Sequence, residues 1–265
     1  MRIAVAGATG RVGRHVVDVL EEGGHDVVAM SRASGVDLVT GHGLAEALAG
    51  VECIIDTASG PSPEQAAATA FFTAAARNLQ SAGVRAGVKR LVVVSIIGVD
   101  RFTAGYAAAK VAHERAMRSG PIPARIVRAA QFHEFVGQLV EWGRQGSVSR
   151  VPRMLTQLVA ARTVAWVLAD FATRPELQGS PEVGIPEVAG PKPEQLADAA
   201  RRLVERLGDP VRIERVTPPD DPDASLYESG ALLPGPSAIL AGPTFQEWLD
   251  ARLPSRDQAA AYPGA

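Results

Sequence analysis

The chain has 265 residues, of which 46% are apolar and 21% charged; that supports a full core and excludes disorder over most of its length. Its 27 Lys and Arg nearly balance 29 Asp and Glu, and a net charge of −2 gives no electrostatic reason to bind nucleic acid or an anionic membrane. The one cysteine, Cys53, excludes a disulfide framework and a cysteine-built zinc cluster.

From the start, Met1 to Ala6 runs straight into Gly7-Ala8-Thr9-Gly10, too short and glycine-rich for a secretory signal. The most apolar later stretch, Leu158 to Ala172, carries Arg162 and Asp170 and reads as a buried or amphipathic helix, not a membrane span. The expected compartment is therefore the cytoplasm.

Short apolar runs alternate with helical patterns. Arg2–Ala6 reads as a buried strand, and Arg11–Glu22 as a helix with Val12, Val16, Val19 and Leu20 on one face. A strand at His25–Met30, a short helix at Leu44–Ala49 and a strand at Glu52–Asp56 follow. Then come a long helix at Glu64–Ala86, a strand at Lys89–Ser95, a helix at Gly105–Ser119, a strand at Ala124–Val127 and a helix at Glu134–Arg144. This alternation predicts an α/β fold with a doubly wound parallel sheet, whose ligands sit at the carboxyl ends of the strands. Beyond that point the pattern loosens. Helices are expected at Thr163–Ala172, Glu194–Leu207 and Phe245–Leu253, a strand at Val211–Arg215, and long loops over Pro218–Pro243. The expected division is a dinucleotide-binding domain over 1–147, a smaller α/β substrate-side subdomain over 148–253 packed on the sheet, and a frayed tail over 254–265.

Gly7-Ala8-Thr9-Gly10-Arg11-Val12-Gly13 lies between the first strand and the first helix. In such a turn Gly7 permits the bend, Gly10 lets backbone approach a pyrophosphate, and Gly13 lets the helix pack close to the sheet. The helix N-terminus then offers free N–H groups to phosphate. The alternative is a tight turn with no ligand, a reading its position between strand and helix disfavours. The second strand ends in Ala29-Met30-Ser31-Arg32, with no acid to hold a ribose 2′-hydroxyl. Arg32 and Ser31, with Arg11 nearby, suit a 2′-phosphate instead, which favours NADP(H) over NAD(H). Against this stands the reading of Arg32 as a solvated loop residue.

With these motifs the chain resembles the short-chain dehydrogenase/reductase superfamily in its extended or atypical branch, and within it the NmrA-like, nucleoside-diphosphate-sugar-epimerase-like NAD(P)-binding proteins. The residues carrying the resemblance are the GATGRVG turn, Val51–Ala58, Val88–Ser95, Gly105–Lys110, Arg128–Phe135 and Val188-Ala189-Gly190-Pro191. It implies a Rossmann fold, with Asp37 and Leu38 beside the adenine, Thr57, Ala58 and Ser59 lining the cofactor, and Gln131 and Phe132 near the nicotinamide. It also implies a monomer or homodimer. The proline usual in the last of these loops is Ala130 here.

Tyr106 and Lys110 are four apart on an expected helix and project from one face. A protonated lysine near a phenol lowers its pKa, which suits a general acid or base at a carbonyl or hydroxyl. By resemblance, Lys110 also hydrogen-bonds the nicotinamide ribose. Ser95, ending the preceding strand, completes the expected catalytic set by binding the substrate oxygen; the competing reading is a plain backbone hydrogen-bonder. His133, at the start of a helix, either touches substrate along with Phe132 or serves the helix's first turn. His113, seven residues beyond Tyr106, is expected to be too distant for the chemistry. No histidine pattern fits a metal.

The leading expectation is an NADPH-dependent oxidoreductase acting on a small carbonyl, enone or quinone-like substrate. The alternatives are a non-catalytic NADP(H)-binding redox sensor acting through protein contacts, and an epimerase or dehydratase that retains its dinucleotide.

Overall fold

The computed structural model describes residues 1–174, 176, 184–217 and 221–253. In chain order the first elements are β1 (Arg2–Ala6), α1 (Gly13–Glu22), β2 (Asp26–Met30), α2 (Leu44–Ala47), β3 (Cys53–Asp56), α3 (Gln65–Ala86), β4 (Arg90–Ile96), α4 (Gly105–Arg118) and β5 (Ala124–Ala129). Next are α5 (His133–Trp142), β6 (Arg144–Gln145), β7 (Val148–Pro152), β8 (Leu155–Thr156), α6 (Ala161–Thr173) and β9 (Glu187–Ala189). The last are β10 (Glu194–Gln195), α7 (Leu196–Leu207), β11 (Arg212–Val216), α8 (Ala224–Glu228), β12 (Ile239–Leu240) and α9 (Phe245–Arg252). Among the described residues no helix is long and apolar enough to cross a membrane.

The chain forms two compact units: 1–129 with 161–188, and 130–160 with 189–265. In the first, the strands lie in the order β9-β5-β4-β3-β1-β2, and every pair is parallel. Ile3, Ala4, Val5, Ile54, Ile55, Leu91, Val92 and Val93 are fully buried, as strands covered on both faces require. Helix α1 packs on α6, and α3 on α4. Chain order reverses between β1 and β3, and that switch point opens a crevice at the carboxyl ends of the strands. The doubly wound α/β fold expected from the alternation is the one observed.

The second unit has two small sheets of its own, β11-β7-β6 and β10-β8, with α5 and α9 both packed on α7 or its neighbours. The division departs from the expected one. The first unit closes at Ala129 instead of 147, and α6 returns to it because Val164, Ala165, Leu168 and Ala172 are buried there, against β3, β4, β5 and α1. The loop expected over Pro218–Pro243 contains α8 and β12, and its first three residues lie outside the described ones. The expected frayed tail, 254–265, also lies outside them.

Candidate functional site

A cleft of about 280 Å³ opens at the carboxyl ends of β1, β2 and β3. Gly7 turns the chain out of β1 with φ +75°, and a Cβ there would meet the Ala58 backbone at 2.8 Å. Gly13 is tighter still: a Cβ would stand 2.0 Å from the Gly7 carbonyl oxygen. The exposed Gly10 donates its N–H to Gly7 O at 2.9 Å and presents bare backbone to the cleft. Behind it, α1 has no side-chain cap and no acid in its first turn. The contrast with α3 is direct, since there the Glu64 carboxylate accepts from Ala66 N and Ala67 N, both at 2.9 Å. An uncapped helix start behind a glycine turn leaves N–H donors and partial positive charge for an anion. These residues fit a dinucleotide's pyrophosphate.

Ten of the residues expected to hold the cofactor line this cleft: Gly7, Thr9, Gly10, Ser31, Arg32, Asp37, Leu38, Thr57, Ala58 and Ser59. The Thr57 hydroxyl donates to Ala6 O at 2.8 Å, so it ties β3 to β1 as well as facing the cleft. Ser31 caps the short 3₁₀ turn Arg32–Ser34, accepting from Ser34 N. Arg32 is exposed beside it, and no ion pair binds it among the described residues. Asp37 folds its own turn, its Oδ1 accepting from Val39 N at 2.8 Å and Thr40 N at 3.2 Å. Asn78 on α3 holds that turn from behind, donating to Leu38 O at 2.9 Å and Val39 O at 2.8 Å. Arg11, Val12 and Gly13 are not on the cleft wall; Val12 and Gly13 are buried. Met30, Val36, Val39, Pro61 and Phe71 complete the lining and carry no chemical signature to single them out.

Tyr106, Lys110 and Ser95 stand on α4 and β4, and none lines this cleft. Ser95 is buried and its Oγ has no hydrogen-bond partner among the described residues. Such a hydroxyl costs about 1–3 kcal/mol while it waits. Lys110 is buried, and its ammonium donates to Val94 O at 2.9 Å and to His113 Nδ1 at 3.0 Å. Its third N–H is left for the Phe72 ring, whose centre is 4.6 Å away. His113 Nε2 meets Asp56 Oδ2 at 3.0 Å, and Asp56 Oδ1 accepts from Ala58 N on the cleft wall at 2.9 Å. Phe72 stacks on His113 with centroids 4.6 Å apart and meets Tyr106 edge-on at 5.7 Å.

The electrostatics follow from this burial. Burial drives Lys110 down to about 8, against the pull of the Asp56 and Glu114 carboxylates. It also lowers His113, helped by the Lys110 ammonium. Burial alone would raise Asp56, but the His113 hydrogen bond and charge, then Ala58 N and Lys110, hold it below the ordinary carboxylate range. Tyr106 is pushed up to about 12 by burial and by Asp56. The expected acidified phenol is therefore not found: the donors of Lys110 point to β4, His113 and Phe72. His113, read as remote, is in direct contact with Lys110; a seven-residue spacing puts it on the same helix face.

In the second unit, the Gln131 side chain accepts from Thr156, and Phe132 N-caps α5. His133 is buried between Phe245 and Trp248, and its Nε2 donates to Pro243 O at 3.1 Å. A core histidine, not a substrate contact, is what the unit's own packing makes of it. Among the described residues no group of His, Cys, Asp or Glu is arranged to hold a metal ion.

A family profile described as NAD(P)H-binding matches residues 7–175. Solved structures match across the chain. MoeE5 in complex with UDP-glucose and NAD is 18% identical, with a TM-score of 0.69 over 96% of this chain and 97% of that one. A short-chain dehydrogenase/reductase superfamily protein from Agrobacterium tumefaciens with bound NAD is 18% identical, with a TM-score of 0.66 over 98% of each chain. UDP-N-acetylglucosamine 4-epimerase from Bacillus cereus is 15% identical, with a TM-score of 0.66 over 95% and 94%. At these identities the likeness is one of fold. No curated protein sequence matches. The glycine cradle, the parallel sheet and the matched profile together place the chain in the NAD(P)H-binding family, with the short-chain dehydrogenase/reductase fold.

Proposed function

We propose that the protein is an NADPH-dependent oxidoreductase that reduces a small carbonyl, enone or quinone-like substrate. The observation that carries the cofactor choice is the cleft wall after β2: an exposed Arg32 stands where NAD-selective sites place an acid. Asp37 is the other charged group on that wall, and one of its oxygens is already committed to two backbone N–H groups. A guanidinium with free donors binds a phosphate bidentately. The dinucleotide, when bound, supplies the hydride. The chain supplies a proton: a Tyr106 phenol with a pKa near 12 is protonated at neutral pH and donates to the substrate oxygen as the carbonyl carbon is reduced. The unpartnered Ser95 hydroxyl is the donor available to polarise that oxygen.

One observation favours a second reading, a binder of NADP(H) that does not turn over: the Lys110 donors are all engaged inside the protein. Calorimetry with NADPH and NADH tests the first step. NADPH should bind ~10- to 100-fold tighter, the worth of a charge-assisted bidentate contact, and Arg32→Ala should erase the difference. Equal affinities in the unaltered protein would overturn the choice. A panel of ketones, enones, quinones and sugar nucleotides, followed by NADPH absorbance, then separates enzyme from binder. Tyr106→Phe should stop turnover and leave NADPH affinity unchanged.

A further inference from the structure

The connection from Ser95 to Tyr106 leaves the end of β4 and enters the first turn of α4. Its middle is fastened from β5. There the Arg128 guanidinium grips Glu114 of α4 with Nε and Nη2 at 3.0 and 2.9 Å, and its Nη1 donates to Asp100 Oδ1 at 2.9 Å. The far end is harder to hold. Tyr106 is the second residue of α4, in the turn whose backbone N–H groups have no partner within the helix. The N-cap residue is Ala104, whose methyl can accept nothing, and no side chain of the helix's own entry caps it. The cap comes from α3 instead: Gly105 N donates to Gln65 Oε1 at 2.9 Å. Gly105 stands at φ +62°, so the chain swings into the helix at the very residue that Gln65 holds, next to Tyr106.

Gln65 is itself placed by a stiff segment that begins on the cleft wall. Ser59 and Pro61 line the cleft, and Gln65 opens α3 just beyond Pro63 and Glu64. Pro61 and Pro63 fix their own φ. The Ser62 hydroxyl accepts from Glu64 N at 3.1 Å, and Glu64 caps α3 in turn. Gly60 lies so close to Phe71 that a Cβ would meet its ring at 3.1 Å. On the same helix Phe72 meets the Tyr106 ring edge-on, packed with the buried Ala68 and Ala109. The phenol thus leans on α3 twice, by its ring on Phe72 and by its preceding backbone N–H on Gln65. We propose that Gln65 is a positioning residue for Tyr106: it caps α4 from the neighbouring helix, and so seats the phenol against the segment that forms the cleft wall. The inference rests on the reading of Tyr106 as the proton donor. Gln65 acts through the first turn of α4, and the position requires an acceptor there, because a backbone N–H can only donate.

Gln65 is exposed, so replacing it leaves the core intact. The chain has three tyrosines, and in tyrosine-labelled protein the ring resonances of Tyr106 are assigned by their loss in Tyr106→Phe. In Gln65→Ala these resonances should move, because the edge contact with Phe72 loosens. The kcat of NADPH-dependent reduction should fall about five- to tenfold, the worth of a lost cap. The substrate KM should stay within about twofold and NADPH affinity within about threefold of the parent, since Gln65 touches neither. Gln65→Glu should bring kcat back to within about twofold of the parent, because a carboxylate accepts the same N–H and suits a helix N-terminus. Superposable Tyr106 resonances in Gln65→Ala overturn the proposal, as does an unchanged kcat or a Glu variant no better than Ala. If the unaltered protein turns over no substrate, the reductase reading fails alone, and the Tyr106 resonances of the Ala and Glu variants decide the role of Gln65.

Discussion

The glycine cradle and the Lys110 cluster are built from different materials. The cradle is backbone: a left-handed Gly7, a bare Gly10 and an uncapped helix start, all within seven residues. The cluster is side chain: Asp56 from β3, Phe72 from α3, Lys110 and His113 from α4, closed off from solvent. A backbone cradle tolerates almost no added atom and holds its anion with fixed N–H dipoles that do not titrate. A buried ionic cluster tolerates shape better and is sensitive to every proton. The two respond to different perturbations, and the expected effects can be ranked.

The largest follows from adding one carbon to the cradle. In Gly13→Ala the new methyl would lie 2.0 Å from Gly7 O and 2.8 Å from the Thr57 hydroxyl, and two of the nearest three atoms are backbone. The helix must retreat or the turn must open. Calorimetry should show at least a ~100-fold loss of dinucleotide affinity, and melting should show a loss of about 1–3 kcal/mol, the usual cost of overpacking. Affinity within threefold of the parent would mean the phosphates do not rest on this turn.

The same difference in material decides what could be read from the chain. The cradle was legible because its residues are consecutive and glycine has few other uses between a strand and a helix. The ends of β2 and β3 were legible for the same reason, since a strand's last residues share one edge of the sheet. The cluster was not. Asp56 and His113 are 57 residues apart and meet only because β3 and the α4 helix are brought together. The spacing from Tyr106 to Lys110 showed that they share a helix face, but not which neighbour would claim the ammonium. Likewise Asn78 carries no motif, because its role depends on a loop some 40 residues upstream. The second unit was the least legible: β6, β8 and β10 are two residues each, too short for any hydrophobic period.

The next effect separates the two regions by pH. His113 is held neutral in the fold by burial and by Lys110, while the unfolded chain binds a proton near 6.5. Below that pH the unfolded state takes up more protons, so stability falls as pH falls, by up to about 1.4 kcal/mol per unit for one group. His133, lowered by burial in the second unit, contributes a similar slope. Melting between pH 6.5 and 5 should therefore drop by several degrees, and His113→Gln should roughly halve the slope without removing it. An unchanged slope would mean His113 already carries a proton in the fold. Gly13→Ala should leave the slope as it is, since the one ionisable residue of the turn, Arg11, stays charged throughout this pH range.

The smallest effect probes the loop that closes the cleft's outer side. Asn78 gives both N–H bonds of its amide to Leu38 O and Val39 O, holding the Asp37 turn against α3. Removing them in Asn78→Ala frees two carbonyls that water can reach at the exposed Val39 end, so the stability loss should be only about 1 kcal/mol. Dinucleotide affinity should fall about three- to tenfold, because the wall at Leu38 must be ordered again on binding. Asn78→Asp is the sharper variant. It keeps the size and replaces the donor with a carboxylate facing two carbonyl oxygens, so it should cost more affinity than Ala. The opposite order would show that Asn78 fills space behind the loop, and that its hydrogen bonds do not shape the cleft.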